Sequence, residues 1–213
     1  MSPFQSLRGA LAARPASASS TYTLLVQPGT YAAECPLDLT NVTIIGVALS
    51  PTIVCAVPSQ WSIAGVVDIE NVAFAGVRLV ATMAQLSLTR VSIRGIKASC
   101  GGCVAAVHSY LWVDRVNCVG GRANNKGGAI YLENTAVAGR ALNVSHNHAR
   151  QGGGVYIGQR SHWQVSGADI SSNVAQADGG GICTNDAAHV DIHSTRFYNN
   201  AADRDGGAIL LAT

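Results

Sequence analysis

The chain has 213 residues, of which 48% are hydrophobic and only 12% charged, with a net charge of +2. Ordinary domains carry about 25% charged residues, so the deficit excludes charged helical bundles, coiled coils and acidic or basic disordered tails. The near balance of charge gives no reason to expect nucleic acid or an anionic membrane surface as a partner.

Residues 1–20 read as an N-terminal cap helix and linker, and 21–213 as the main domain. Ser2-Pro3-Phe4-Gln5 has the form of a capping box with Pro at the first helical position. Phe4, Leu7 and Leu11 follow at helical spacing, and Pro15 stops the run. The same stretch carries Arg8 and Arg14 with no acid before Glu34, so an organelle-targeting segment is the alternative. Leu39 to Val67 has no charged residue, but Pro51, Pro58 and scattered Asn, Ser and Gln argue against a membrane span.

From Leu37 onward the chain repeats. Ten-residue segments beginning at Leu37, Val67, Leu86, Leu111, Val137, Trp163 and Val190 share an apolar first residue and an apolar eighth: Ile44, Phe74, Ile93, Cys118, Val144, Ile170 and Phe197. The starts are 30, 19, 25, 26, 26 and 27 residues apart. Between them lie Gly-Gly-rich segments from Gly127, Gly152, Gly179 and Gly206, and a series Asn147, Asn173, Asn200, all on the same period. Three residue classes in one register mark a repeat architecture. Apolar residues at positions one and three, and again at six and eight, describe two short strands out of phase, joined by a bend at positions four and five. Asn41, Asn71 and Gly167 at position five suit the left-handed backbone of such a bend. With the Gly-Gly segment as a third strand, units this short bury their inner faces only by stacking. The expectation is an all-β solenoid of about seven rungs and three sheets, with Asn147, Asn173 and Asn200 turned inward at one corner.

The Gly-Gly-Ala-Ile segments (127–130 and 206–209) and the Phe197-x-x-Asn200 segment resemble the repeats of chlamydial-type polymorphic outer-membrane proteins. The first half, with Thr23 to Tyr31 reading TLLVQPGTY, resembles the start of right-handed β-helix proteins of the pectin-lyase-like superfamily. These resemblances imply a right-handed parallel β-helix, extracellular or at the cell surface. They do not fix a function, because that fold hosts lyases, hydrolases, adhesins and passive stalks.

Candidate ligand-binding residues follow from the register. Arg90 and Arg115 share position five on adjacent rungs, with Arg94, Lys97, Arg122 and Lys126 nearby, forming either a groove for an acidic glycan or an outer ladder paired with Glu70 and Asp114. Tyr131 and Tyr156 occupy one outward slot on neighbouring units, as a sugar platform or a packed column. Asp38 and Asp68 are candidates for adjacent carboxylates, without the motifs of a hydrolase. No catalytic residues are assigned. No metal site is assigned either: His146 and His148 have only His162 and His193 as further candidates. No cofactor is expected. Calcium near Asp178 and Asp205 is a weak alternative, since the calcium-binding nonapeptide pattern is absent. The six cysteines (Cys35, Cys55, Cys100, Cys103, Cys118, Cys183) permit disulfides without fixing their pairing, and Cys100-Gly-Gly-Cys103 has the spacing of a redox or half-zinc motif.

Two functions stay open. The first is a non-catalytic surface or secreted module, adhesin-like, that binds an extracellular glycan or protein on a side face. The alternative is a pectate-lyase-like polysaccharide lyase acting on acidic glycans. Because Gly206 to Thr213 follows a regular unit with no cap, the solenoid is expected to continue in a longer protein or to associate end to end through this rung.

Overall fold

A short strand with one apolar face is stable only when its backbone groups and that face are both covered, and here each turn covers the next. The computed structural model describes residues 6–13, 21–32, 35–185 and 187–212. They form a parallel β-solenoid of about seven turns. Residues 110–133 show one turn. Tyr110–Val119 supplies the strands of two faces, Arg122–Lys126 a corner strand, and Ile130–Glu133 the third face. The three faces belong to one 17-stranded sheet, and the corner strands make a separate five-stranded sheet that the three-strand reading of the repeat did not include.

Face one stacks Tyr22, Val42, Val67, Leu86, Leu111, Val137, Trp163 and Val190 in parallel register. Face two stacks Tyr31, Ile53, Phe74, Ile93, Cys118, Val144, Ile170 and Phe197. The column expected from the repeat is therefore continuous from Phe74 to Phe197, but Ile53 takes the place assigned to Ile44. Ile44 lies on face one beside Leu24 and Ile69. The unit expected at Leu37 is displaced, since Val67 pairs with Val42, 25 residues earlier. The interval of 30 was the only one outside 19–27. The same displacement separates Asp38, which pairs with Ser62, from Asp68, which pairs with Thr43 and Ser87. Phe74, Ile93, Cys118, Val144 and Ile170 are buried, whereas Phe197 is half-buried.

In the six units that keep the expected register, position five has positive φ at Asn71, Arg90, Arg115, Ala141, Gly167 and Ser194; Asn41 is also left-handed, but by the same displacement it turns the chain from face three to face one. The Gly-Gly pairs have two separate causes. Gly127, Gly152, Gly179 and Gly206 turn the chain with φ of 62–65°. Gly128, Gly153 and Gly180 come so close to the next turn that a Cβ would run into the carbonyls of Gly153, Gly180 and Gly207.

Inside the corner, Asn147 and Asn173 are almost wholly buried and Asn200 half-buried. Asn147 Nδ2 donates to Asn173 Oδ1 at 2.9 Å, and Asn173 Nδ2 to Asn200 Oδ1 at 3.0 Å. The same amides donate to the carbonyls of Cys118 and Val144, and Gly121 N donates to Asn147 Oδ1.

At the N-terminal end the helix Leu7–Ala12 sets Ala10, Leu7 and Leu11 against the core. Its N-cap is Ser6, whose hydroxyl accepts from Gly9 N; the capping box expected at Ser2 lies outside the described residues. Cys35 and Cys55 form a disulfide, and the other four cysteines are thiols. The charge-free stretch folds as strands, and among the described residues no helix is long and apolar enough to cross a membrane. The strands His189–His193, Arg196–Tyr198, Ala201–Ala202 and Ile209–Leu210 are each paired on one side only among the described residues.

Candidate functional site

Alternation along a strand sends every second side chain outward, and the parallel register stacks these residues into rows. On face one, the row before the apolar anchor reads Gln85, Tyr110, Ala136, His162, His189. The row after it reads Asp68, Ser87, Trp112, Ala138, Gln164, Asp191. Tyr110 and Trp112 lie two apart on one strand, on the same side of the sheet, and stand 41% and 38% exposed. The other two tryptophans, Trp61 and Trp163, are buried in the core.

Trp112 divides two shallow depressions. One of about 380 Å³ is lined by Trp112, Ala138, Gly139, Gln164, Ser166 and His193. A smaller one of about 90 Å³ lies on the other side, between Tyr110, Trp112, Asp68, Gln85 and Ser87. The larger exists because the outward neighbour of Trp112 is Ala138, and because Gly139 carries no side chain at all. A Cβ on Gly139, whose φ is 149°, would run into the carbonyl of Val113. The result is an open shelf with one aromatic wall and amide, hydroxyl and imidazole groups around it.

The basic residues picked out by the repeat divide into two groups. Arg90 pairs with Glu70, and Arg115 donates to Asp114 Oδ2 at 3.0 Å. Arg140, from the next turn, donates to Asp114 Oδ1 at 3.0 Å, so Asp114 is held between two guanidinium groups. The Arg140 hydrogen bond, aided by the Arg115 charge, keeps the Asp114 carboxyl below its ordinary range despite its burial. These are ladder contacts, and they occupy the charges that a ligand would use. Arg94 and Lys97, by contrast, are exposed and have no ion pair among the described residues. Lys97 is in register with Arg122 and then His148 on the corner sheet, with Arg94 just before the corner, which makes a basic edge.

Tyr131 and Tyr156 do stack, with ring centroids 5.9 Å apart and planes within 13°. They are not an open platform. Tyr156 is buried, and Lys126 lies over its ring and donates to its hydroxyl at 2.9 Å. Tyr131 donates to Glu133 Oε2 at 3.0 Å, and burial with that bond raises its pKa.

Cys100 and Cys103 are not partnered to each other. The buried Cys103 thiol donates to the Ile93 carbonyl at 3.8 Å, and the neighbouring Cys118 thiol together with burial pushes its pKa well up. His146 sits at a left-handed bend and His148 on the corner strand, so a turn separates the two imidazoles. Asp178 accepts from Gln151 at 3.1 Å and Arg204 at 2.6 Å; burial alone would raise its pKa, and these bonds bring it below the usual value.

Residues 194–212 match the family model described as the Chlamydia polymorphic membrane protein (Chlamydia_PMP) repeat. The match covers the segment from Ser194 through the last Gly-Gly pair, and with the solenoid it fits a β-helix with repeats similar to those of that family. No curated protein and no solved structure gives a significant match to the chain.

Proposed function

We propose that this chain is a non-catalytic, adhesin-like module of a cell surface that holds a glycan on the outer side of face one. The observation that carries the reading is the exposed pair Tyr110 and Trp112 beside two shallow, polar-edged depressions. Two large aromatic rings on the same side of one rigid strand offer an apolar face of the kind that ligand-binding grooves use. Sugar rings present C–H faces that stack on indole and phenol, while their hydroxyls need amide and imidazole partners such as Gln164 and His193. The similarity of residues 194–212 to a polymorphic membrane protein repeat supports a surface setting.

Arg94, Lys97 and Arg122 lie beyond face two from this shelf and form a separate basic edge, outside the proposed site. Arg90, Arg115, Tyr131 and Tyr156 are left out of the site, because their polar groups are engaged within the protein. A glycan array probed with the wild-type chain and with Trp112→Ala tests the reading. Binding that is lost in Trp112→Ala supports it. Unchanged binding in that variant overturns the location, and release of unsaturated products from uronic-acid polymers with calcium present overturns the non-catalytic assignment.

A further inference from the structure

We infer that His162, His189 and Asp191 form a binding site for a divalent transition-metal ion of the zinc type. The period of the solenoid makes the site. His162 and His189 are in register on adjacent strands of face one, and Asp191 lies two residues beyond His189, on the same side of the sheet. The two imidazole rings stack with centroids 4.6 Å apart and planes 24° apart. Both Nε2 atoms converge on one carboxylate: His189 Nε2 is 3.3 Å from Asp191 Oδ1, and His162 Nε2 is 3.7 Å from Oδ2. The donor atoms of the three residues all lie within 4.8 Å of one another.

Those distances discriminate between two uses of the same groups. A charge-assisted hydrogen bond from imidazolium to carboxylate closes to about 2.7–2.9 Å. Ligand atoms about 2.0–2.1 Å from a tetrahedral zinc ion are spaced about 3.3–3.5 Å from one another. The His189 contact at 3.3 Å fits the second spacing, and the His162 contact at 3.7 Å, to the other oxygen, is too long for the first. Two imidazoles and one carboxylate are a borderline donor set, suited to Zn²⁺ and its neighbours and unsuited to Ca²⁺, which takes six to eight oxygens. His162 and His189 have side chains 46% and 65% exposed and Asp191 34%, so an ion reaches the site and keeps at least one position open to water or an exogenous donor. The inference stands on these three residues and does not depend on the glycan reading.

The test is calorimetric titration of the untagged, EDTA-treated full chain with zinc chloride at neutral pH. One saturable ion per chain is expected, with binding weakened about tenfold or more by His162→Asn, His189→Asn and Asp191→Asn. His193→Asn and Cys100→Ser should leave it within about twofold, and circular dichroism should show all five variants folded, as suits exposed or half-buried positions outside the core. Absence of saturable binding, or binding that survives His189→Asn or disappears in Cys100→Ser, would overturn the site. Calcium chloride that titrates the same three residues would overturn its assignment to a transition metal.

Discussion

The side-chain amide of Asn147 donates to Oδ1 of Asn173, one turn further on, at 2.9 Å, in the interior of the solenoid. Each Asn in this column both receives from the turn before it and donates to the turn after it or to a buried carbonyl. A ladder of this kind fixes register as well as satisfying polar groups, because a slip by one residue would leave several amides unpaired.

Asn173→Ala should therefore be more damaging than its size implies. It removes the acceptor of Asn147 N and Nδ2 and the donor to the Val144 carbonyl together. A loss of about 2–4 kcal/mol in urea unfolding is expected, given about 1–3 kcal/mol for each buried group left unsatisfied. A loss within error of a surface substitution would show that the ladder does not bear on stability.

In the apolar column, Ile93→Ala should cost about 2–5 kcal/mol, since Ile93 is fully buried between Phe74 and Cys118. Phe197→Ala should cost less than the usual 3–5 kcal/mol for a buried Phe, because Phe197 is only half-buried. Thermal or urea unfolding of the two variants checks the order; Phe197→Ala as the more destabilising would contradict it.

Most of this architecture was legible in the sequence. The period showed itself through three residue classes, and position five of the six later units proved left-handed, including Arg90, Arg115 and Ala141, which no propensity singles out. The first unit was misread because Leu37, Asp38 and Leu39 also alternate; they belong to face three, where Leu39 pairs with Ile63, and pattern alone does not distinguish the faces. The candidate site was harder to see. Basic residues in register are conspicuous in a chain with so few charges, yet Glu70 and Asp114 occupy Arg90, Arg115 and Arg140. Tyr110, Trp112, His162 and His189 sit immediately around the apolar anchors, in the outward rows. The spacing of 27 between His162 and His189 is the available signal, but it links residues one place before the anchors Trp163 and Val190, outside the ten-residue pattern.

The disulfide closes a loop with a sequence separation of 20 between Cys35 and Cys55. Chain-entropy arguments put such a closure at about 3 kcal/mol. Cys35→Ala with Cys55→Ala should lower stability by about that amount, and reducing agent should then have no further effect on the double variant. Equal urea midpoints for wild type and double variant under oxidising conditions would contradict this.

Asp114 gives a pH signature. Its carboxyl is held below the ordinary range in the folded chain, chiefly by Arg140. A depressed acid contributes stability that is present above its unfolded pKa, about 3.9, and is lost as pH falls through the lower folded value. The stability gap between wild type and Asp114→Asn should be constant from about pH 5 to 7 and should close below about pH 4. A gap that persists unchanged at pH 2 would exclude this origin.

The reading of face one as a glycan-binding surface is tested most directly by acrylamide quenching of tryptophan fluorescence, with and without the best array ligand. Of the three tryptophans, Trp61 and Trp163 are 0% and 1% exposed and Trp112 is 38% exposed, so the quenchable emission belongs to Trp112. Saturating glycan should protect that emission, at the same concentration that saturates binding, and Trp112→Phe should abolish the quenchable fraction. Quenching of Trp112 that is unaltered by a glycan known to be bound would place the ligand elsewhere and contradict the account.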